Sequence, residues 1–238
     1  MNKKLRYVAL LGATSILFGA NVFAKSRAKN DYDSNYYESE GPVIMKVRGM
    51  GAITKSAPKK YPEPTNSPAT KPGNLIKNGI GLQGATSIFF TDHFGAELGF
   101  GGILFKVSDS ALKAAQKNYG TSTANMKKKD LFGIPMELLA QVHAAPYGAI
   151  RPYAGLGYNG TYFFTQSKQL KAASSFGPVY QLGVDFVLND DSMINIDVKQ
   201  YTMEPKVTYK SNFLGNADVS GKQKINPLVI SVGMGWRF

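Results

Sequence analysis

Few side chains in this 238-residue chain could do chemistry, and they favour one kind. There is no cysteine, and the two histidines, His93 and His143, stand far apart in the sequence with no cluster of carboxylates at ligand spacing beside them. A nucleophile needs a base within reach and a metal needs a convergent ligand set, so these residues give no basis for a catalytic site, a metal site or a cofactor. Ion pairing remains. Lys46, Arg48, Arg151, Lys199 and Arg237 are matched by Glu97, Glu137, Asp185 and Asp197. Each of the nine falls on the same alternating phase of a run whose other phase is apolar, so all nine belong to one face. Opposite charges gathered in a low-dielectric interior must pair, because an unpaired ion there is costly. These nine are therefore expected to form an ion-pair plug. Farther along the same phase the residues become Ile103, Phe105, Leu131, Phe163, Val179, Met203 and Val229. That set would line an apolar compartment and be the contact surface for a ligand.

The elements that must carry these two sets are strands. In VIMKVRGMGAIT, starting at Val43, the positions Val43, Met45, Val47 and Ile53 oppose Lys46 and Arg48, which is period two rather than helical spacing. In GIGLQGATSIFF, from Gly79 to Phe90, Ile80, Leu82, Ile88 and Phe90 oppose Gly, Gln, Ala and Ser. A short turn at Thr91–Phe94 returns into GAELGFGGILF, giving a hairpin. IPMELLAQVHA with RPYAGLGYNGTYFF, and YQLGVDFVL with INIDVKQY, repeat the unit, and VISVGMGWRF closes the count at eight strands.

Connections near residues 92, 147 and 190 are tight, whereas those at about 55–74, 106–130, 165–176 and 204–224 are long. Short turns on one rim and long loops on the other describe an all-β, eight-stranded antiparallel up-and-down transmembrane β-barrel, with periplasmic turns and extracellular loops. A soluble eight-stranded barrel would be apolar inside and polar outside. Here one face is apolar in every strand while the other mixes Gly, Ser, Gln, Asn and both charges, so the uniform face is assigned to lipid.

The N-terminus, MNKKLRYVALLGATSILFGANVFA, places Lys3, Lys4 and Arg6 before a short apolar run and ends in small residues, the pattern of a signal peptide over residues 1–24. Residues 25–42 are polar and aperiodic and read as a flexible periplasmic segment, leaving 43–238 for the barrel. Loss of the signal lowers the net charge from +12 to +9. The first long loop, KSAPKKYPEPTNSPATKPG, is proline-rich and predicted to be extended. The second contains SDSALKAAQKNYG, whose Ser or Asp before an alanine-rich run and Gly120 after it predict a short helix, followed by Lys127-Lys-Lys129. Such charge suits the phosphates of outer-membrane lipid and lipopolysaccharide, although a solvated face accounts for most of it. No recognisable nucleic-acid module is present.

Three stretches, RPYAGLGYNGTYFF, SIFFTDHFGAEL and the ending GMGWRF, resemble the OmpW family of eight-stranded outer-membrane proteins, over roughly Val43 to Phe238. The resemblance implies a cell outer-membrane barrel, porin-like, with a narrow apolar passage for small hydrophobic molecules that leave sideways into the bilayer. Two departures are His93, where the family tends to have Asn, and the single Trp236 on the outward face, so no aromatic gate is carried over. The ending, with Trp236 and Phe238 on an alternating strand, also resembles the signal by which the barrel assembly machinery recognises its clients.

The expectation is thus passive uptake of small hydrophobic solutes through an apolar cup closed below by ion pairs. The alternative is a surface anchor or adhesin-like protein acting through basic loops. Pro135, on the inward phase and without an N–H for a ladder, would weaken the wall locally or mark a bulge.

Overall fold

Period-two alternation with both faces specified leaves a sheet little freedom of register, because a one-residue slip would turn charges toward lipid. The computed structural model describes residues 43–59, 75–119, 130–165, 167, 169–214 and 218–238. The segments read as a signal and a periplasmic tether, most of the proline-rich loop, and Lys127–Lys129 lie outside the described residues.

Eight strands form a closed antiparallel barrel: β1 (Val43–Ile53), β3 (Ile76–Phe89), β4 (Phe94–Val107), β5 (Leu131–His143), β6 (Ile150–Thr165), β8 (Ser175–Val187), β9 (Ser192–Tyr201) and β12 (Leu228–Arg237). Their ring order is β1-β12-β9-β8-β6-β5-β4-β3, so each strand pairs with its barrel neighbours in the chain and β12 closes on β1. Closure runs from Ile53 opposite Leu228 to Ile44 opposite Arg237, and is completed by Phe238, whose N–H donates to the Val43 carbonyl at 2.9 Å. No edge is left in lipid, where unpaired backbone groups would be costly. The strands have 10 to 16 residues, at or above the roughly 9–11 that a tilted strand needs to cross the hydrocarbon. Leu82 is 69% exposed and its neighbour Gln83 2%, which fixes the apolar phase outward.

The long connections are more regular than the sequence suggests. β2 (Ala57–Lys59), β7 (Leu170–Ala172), β10 (Lys206–Tyr209) and β11 (Val219–Lys224) make a second sheet, ordered β2-β11-β10-β7. Each is the chain's continuation of one barrel strand, and their order copies β1-β12-β9-β8. The outer sheet is therefore the same wall resumed after a break. The break falls at residues 54–56, 225–227, 202–205 and 173–174. Pro205 and Pro227 have no N–H to carry a ladder through it, and Asn226 takes a left-handed φ of 39°, which Asn tolerates better than most residues.

The expected helix is α1 (Asp109–Tyr119), with Asp109 in its first turn and Lys117 in its last, both favourable to the helix dipole. Ala111, Leu112 and Ala115 form its buried stripe. A second, one-turn helix, α2 (Ser211–Leu214), places Leu214 in the same apolar cluster.

Candidate functional site

The inward phase of the barrel strands builds two layers. Toward the short turns lies a buried polar network with Arg48 at its centre. The Arg48 Nε donates to Asn195 Oδ1 at 2.6 Å, and its two terminal nitrogens grip Glu97 at 3.0 and 2.8 Å, the two-pronged geometry that suits a guanidinium to a carboxylate. Lys199 donates to Glu97 at 3.1 Å and also to Glu137. Lys46 donates to Asp185 at 2.9 Å and lies over the Tyr153 ring, 4.5 Å from its centre. Asp197 accepts from Gln181 Nε2 at 2.7 Å and from the Tyr153 hydroxyl at 2.9 Å.

Seven of the nine ionic residues named from the sequence, Lys46, Arg48, Glu97, Glu137, Asp185, Asp197 and Lys199, thus fall in one connected network, all within 2% of full burial. Arg151, buried and directly opposite Asp185 on β8, and Arg237 lie on the same face at its turn end. The Arg151 Nε donates to the Gly148 carbonyl in the turn at 2.9 Å, and Arg237 is half-buried at the barrel's end.

Uncharged residues knit the charges together, and the sequence reading missed them. Gln83 donates to Glu137 at 2.9 Å and accepts from Arg48, Asn195 donates to Asp185 at 2.6 Å, and the Tyr201 hydroxyl donates to Glu137 at 2.6 Å. Their signal was available: each shares the inward phase of a charged neighbour. Glycines on the same face make the room. A side chain at Gly99 would begin 2.6 Å from Glu137 Oε1, and one at Gly183 would collide with the Tyr153 ring. An eight-stranded barrel has just enough interior for side chains to fill. Glycine on one strand therefore lets a large polar side chain from the next cross the lumen.

Above this floor the interior is apolar. Ile103, Phe105, Leu131, Phe163, Val179, Met203 and Val229 all belong to one buried cluster. The cluster extends outward into Leu75, Leu112, Val207, Tyr209 and Ile225, so the outer sheet and α1 cap it. At the boundary, the Asn159 side-chain oxygen accepts from Thr161 at 3.0 Å, while its buried Nδ2 has no hydrogen-bond partner.

The wall has a discontinuity at that boundary. Between β4 and β5 the ladder pairs Phe100 with Met136, lapses past Gly101–Gly102 and Ile134–Pro135, and resumes with Ile103 opposite Gly133 in the same register. The register does not shift, so Pro135 marks an interruption rather than a bulge. On its other side Pro135 is paired in register with Thr161 of β6. Gly101 and Gly102 contribute no side chains, so the β4 side of the lapse is backbone alone, covered outside by the Phe132 ring lying over Gly102, while the β5 side carries Ile134 and Pro135.

The histidines are nearer in space than in sequence. His93 Nδ1 lies 2.7 Å from the His143 carbonyl oxygen, and the buried His143 ring stacks on Tyr153 with centres 4.9 Å apart. Their contact runs through a backbone oxygen and packs the turn rim. Among the described residues no three His, Asp or Glu side chains are grouped so as to hold a metal.

Against known proteins, a family model described as OmpW family matches residues 39–238. An outer membrane protein of Rickettsia conorii is 40% identical, covering 99% of this chain and 98% of its own. One of Rickettsia typhi is also 40% identical, over 94% of this chain and 97% of its own. The crystal structure of the outer membrane protein OprG from Pseudomonas aeruginosa superposes with a TM-score of 0.66 at 21% identity, over 84% of this chain and 96% of that one, a likeness of fold.

Proposed function

The chain belongs to the OmpW family and is a β-barrel of the outer membrane, and from that premise we propose that it takes small hydrophobic molecules into its apolar upper lumen and releases them sideways into the bilayer. The observation that carries this reading is a coincidence of height. The ladder lapse at Gly101–Gly102 and Ile134–Pro135 adjoins Glu137 and Gln83, the top of the ionic floor, and Phe105 and Phe163, the bottom of the apolar layer.

A solute moving down from the outside would meet carboxylates and cations already paired with one another. Entry there would strip those pairs of partners at a cost of several kcal/mol. The neighbouring wall, where Gly101 and Gly102 face Pro135 and Ile134 without ladder pairing, is the softer boundary, and beyond it lies hydrocarbon as apolar as the solute. Met203 and Met50 beside this region are flexible enough to yield to a guest. The free Nδ2 of Asn159 would suit a solute bearing one acceptor oxygen on an otherwise apolar frame.

The test is uptake. Cells lacking the protein and cells expressing it are supplied with an apolar solute, and initial accumulation is compared. Faster uptake with the protein supports the reading, and equal uptake refutes it. Equal uptake together with salt-sensitive attachment to anionic surfaces would turn the account toward the surface-anchor alternative.

A further inference from the structure

The outer sheet has two unlike faces. Val207, Tyr209, Leu170 and Ala172 point into the apolar cluster, whereas Lys171, Lys206, Lys222 and Lys224 alternate with buried neighbours and are exposed. Register makes the second face a lattice. Lys206 of β10 stands opposite Lys222 of β11, which stands opposite Lys59 of β2. In the adjacent row Lys171 of β7 stands opposite Thr208, and Thr208 opposite Ser220, the two hydroxyls 2.8 Å apart. Neighbouring strands are about 4.8 Å apart, so like charges directly opposite one another repel and destabilise the pair. Lysines on edge strands are common as guards against aggregation. That does not account for Lys206 and Lys222, because β10 and β11 are the two inner strands. Of nearby acids, Asp218 is engaged by Lys210 at 2.6 Å and by the Ser211 N–H, and Glu204, on the same face two residues before Lys206 and level with Lys224, is half-buried and has a partner of its own, so the unrelieved like-charge contact is the Lys206–Lys222 pair.

Position says what the lattice meets. The sheet continues the wall of β1-β12-β9-β8, and its lysine face continues the outward phase. Below it come Ile53 on β1, Ile230 on β12 and Phe176 and Tyr180 on β8, all exposed and in the lipid-facing set, while on β9 the half-buried Gln200 and Val198 precede the exposed Ile196. The lysines of this sheet therefore begin where the hydrocarbon ends, at the level of the lipid headgroups, and they stand there as cross-strand neighbours, unlike the isolated Lys106 above Leu104 on β4.

We propose that the outer face of the β2-β11-β10-β7 sheet is a binding surface for the phosphate groups of outer-leaflet lipids, with Lys171, Lys206, Lys222 and Lys224 as its ligands. A phosphate seated between Lys206 and Lys222 turns a repulsive cross-strand pair into two attractive contacts. The bound lipid then takes the place of counterions along that sector and fixes the outer sheet against the membrane surface. This surface is independent of whether the barrel conducts a solute.

The test uses the full chain refolded into bilayer discs, with retained lipid A counted by native mass spectrometry. One arm carries lipid A with its phosphates and one carries dephosphorylated lipid A. The quadruple variant Lys171→Gln, Lys206→Gln, Lys222→Gln, Lys224→Gln is compared with Lys77→Gln, Lys106→Gln, Lys113→Gln, Lys117→Gln, which removes the same charge from other exposed positions. The pair Lys206→Gln, Lys222→Gln serves if the quadruple variant misfolds. The expected result is phosphate-dependent retention that falls by about fivefold per sheet lysine removed and is unchanged in the charge-matched control. Equal losses in both variants, retention blind to the phosphates, or binding by these lysines of a soluble sulfated polysaccharide but not of lipid A would overturn the proposal.

Discussion

Gly101 and Pro135 face one another across β4 and β5 without ladder pairing, although the register on either side of them is continuous. An open ladder that keeps its register can part and reclose without sliding any side chain to the wrong face. Proline contributes to this by having no N–H to donate. Replacing it with a residue that restores the donor, Pro135→Val, is expected to raise barrel stability slightly and to slow uptake of apolar solutes several-fold. Unfolding in denaturant and solute uptake, measured on the same preparation, check the two halves of that expectation.

The ionic floor is predicted to be fragile to single cuts and tolerant of matched ones. Arg48→Met leaves Glu97 with fewer partners in a dry interior, at a cost of roughly 3–5 kcal/mol. Arg48→Lys should recover little, since an ammonium cannot reproduce the two-pronged contact with Glu97 and the bond to Asn195. The double variant Arg48→Met, Glu97→Leu should lose clearly less than the two single losses added together. Reversible unfolding of the refolded barrel in a double-mutant cycle measures this coupling.

Because the floor fills the lumen, the protein in a planar bilayer should pass little ionic current. Removing the crossing side chains together, as in Arg48→Ser, Glu97→Ser, Lys199→Ser, should open an aqueous path and raise conductance, while uptake of apolar solutes remains. A high conductance in the unaltered protein would contradict a sealed floor.

Phe238 offers a way to separate address from architecture. Its backbone closes the barrel by bonding to Val43, and that bond does not depend on the ring. Phe238→Ala is therefore expected to refold normally in detergent, yet to assemble poorly in cells if the aromatic terminus is what the assembly machinery reads. Heat-modified gel mobility, compared between cell envelopes and refolded protein, reports both.

Legibility in the sequence followed the length and regularity of the signal. Eight or more residues of alternation fixed the phase of every barrel strand, so Gln83 and Leu82 could be assigned to opposite faces from the sequence. The charged members of the floor stood out because charges on that phase have few explanations. Gln83, Gln181, Asn195, Tyr153 and Tyr201 did not, since neutral polar residues face any lumen and only geometry shows which carboxylate each one serves. The outer sheet was hidden for another reason. β2, β7 and β10 have three or four residues each, too few for alternation to register, and Pro205 and Pro227 interrupt the runs that join β10 and β11 to the barrel. Arg237 shares the phase of the floor but is only half-buried at the barrel's end, and phase alone does not give depth near a rim.

The measurement that tests lateral release most directly is a reversible lock across the open ladder. The chain contains no cysteine, so Gly102→Cys with Ile134→Cys gives a single possible disulfide across the lapse, requiring only that the Phe132 ring turn aside. With the pair oxidised, uptake of an apolar solute should fall at least to the level of cells lacking the protein, and reduction should restore it, while ionic conductance and folding stay unchanged. Uptake that proceeds equally well with the lock closed would contradict release through the wall between β4 and β5.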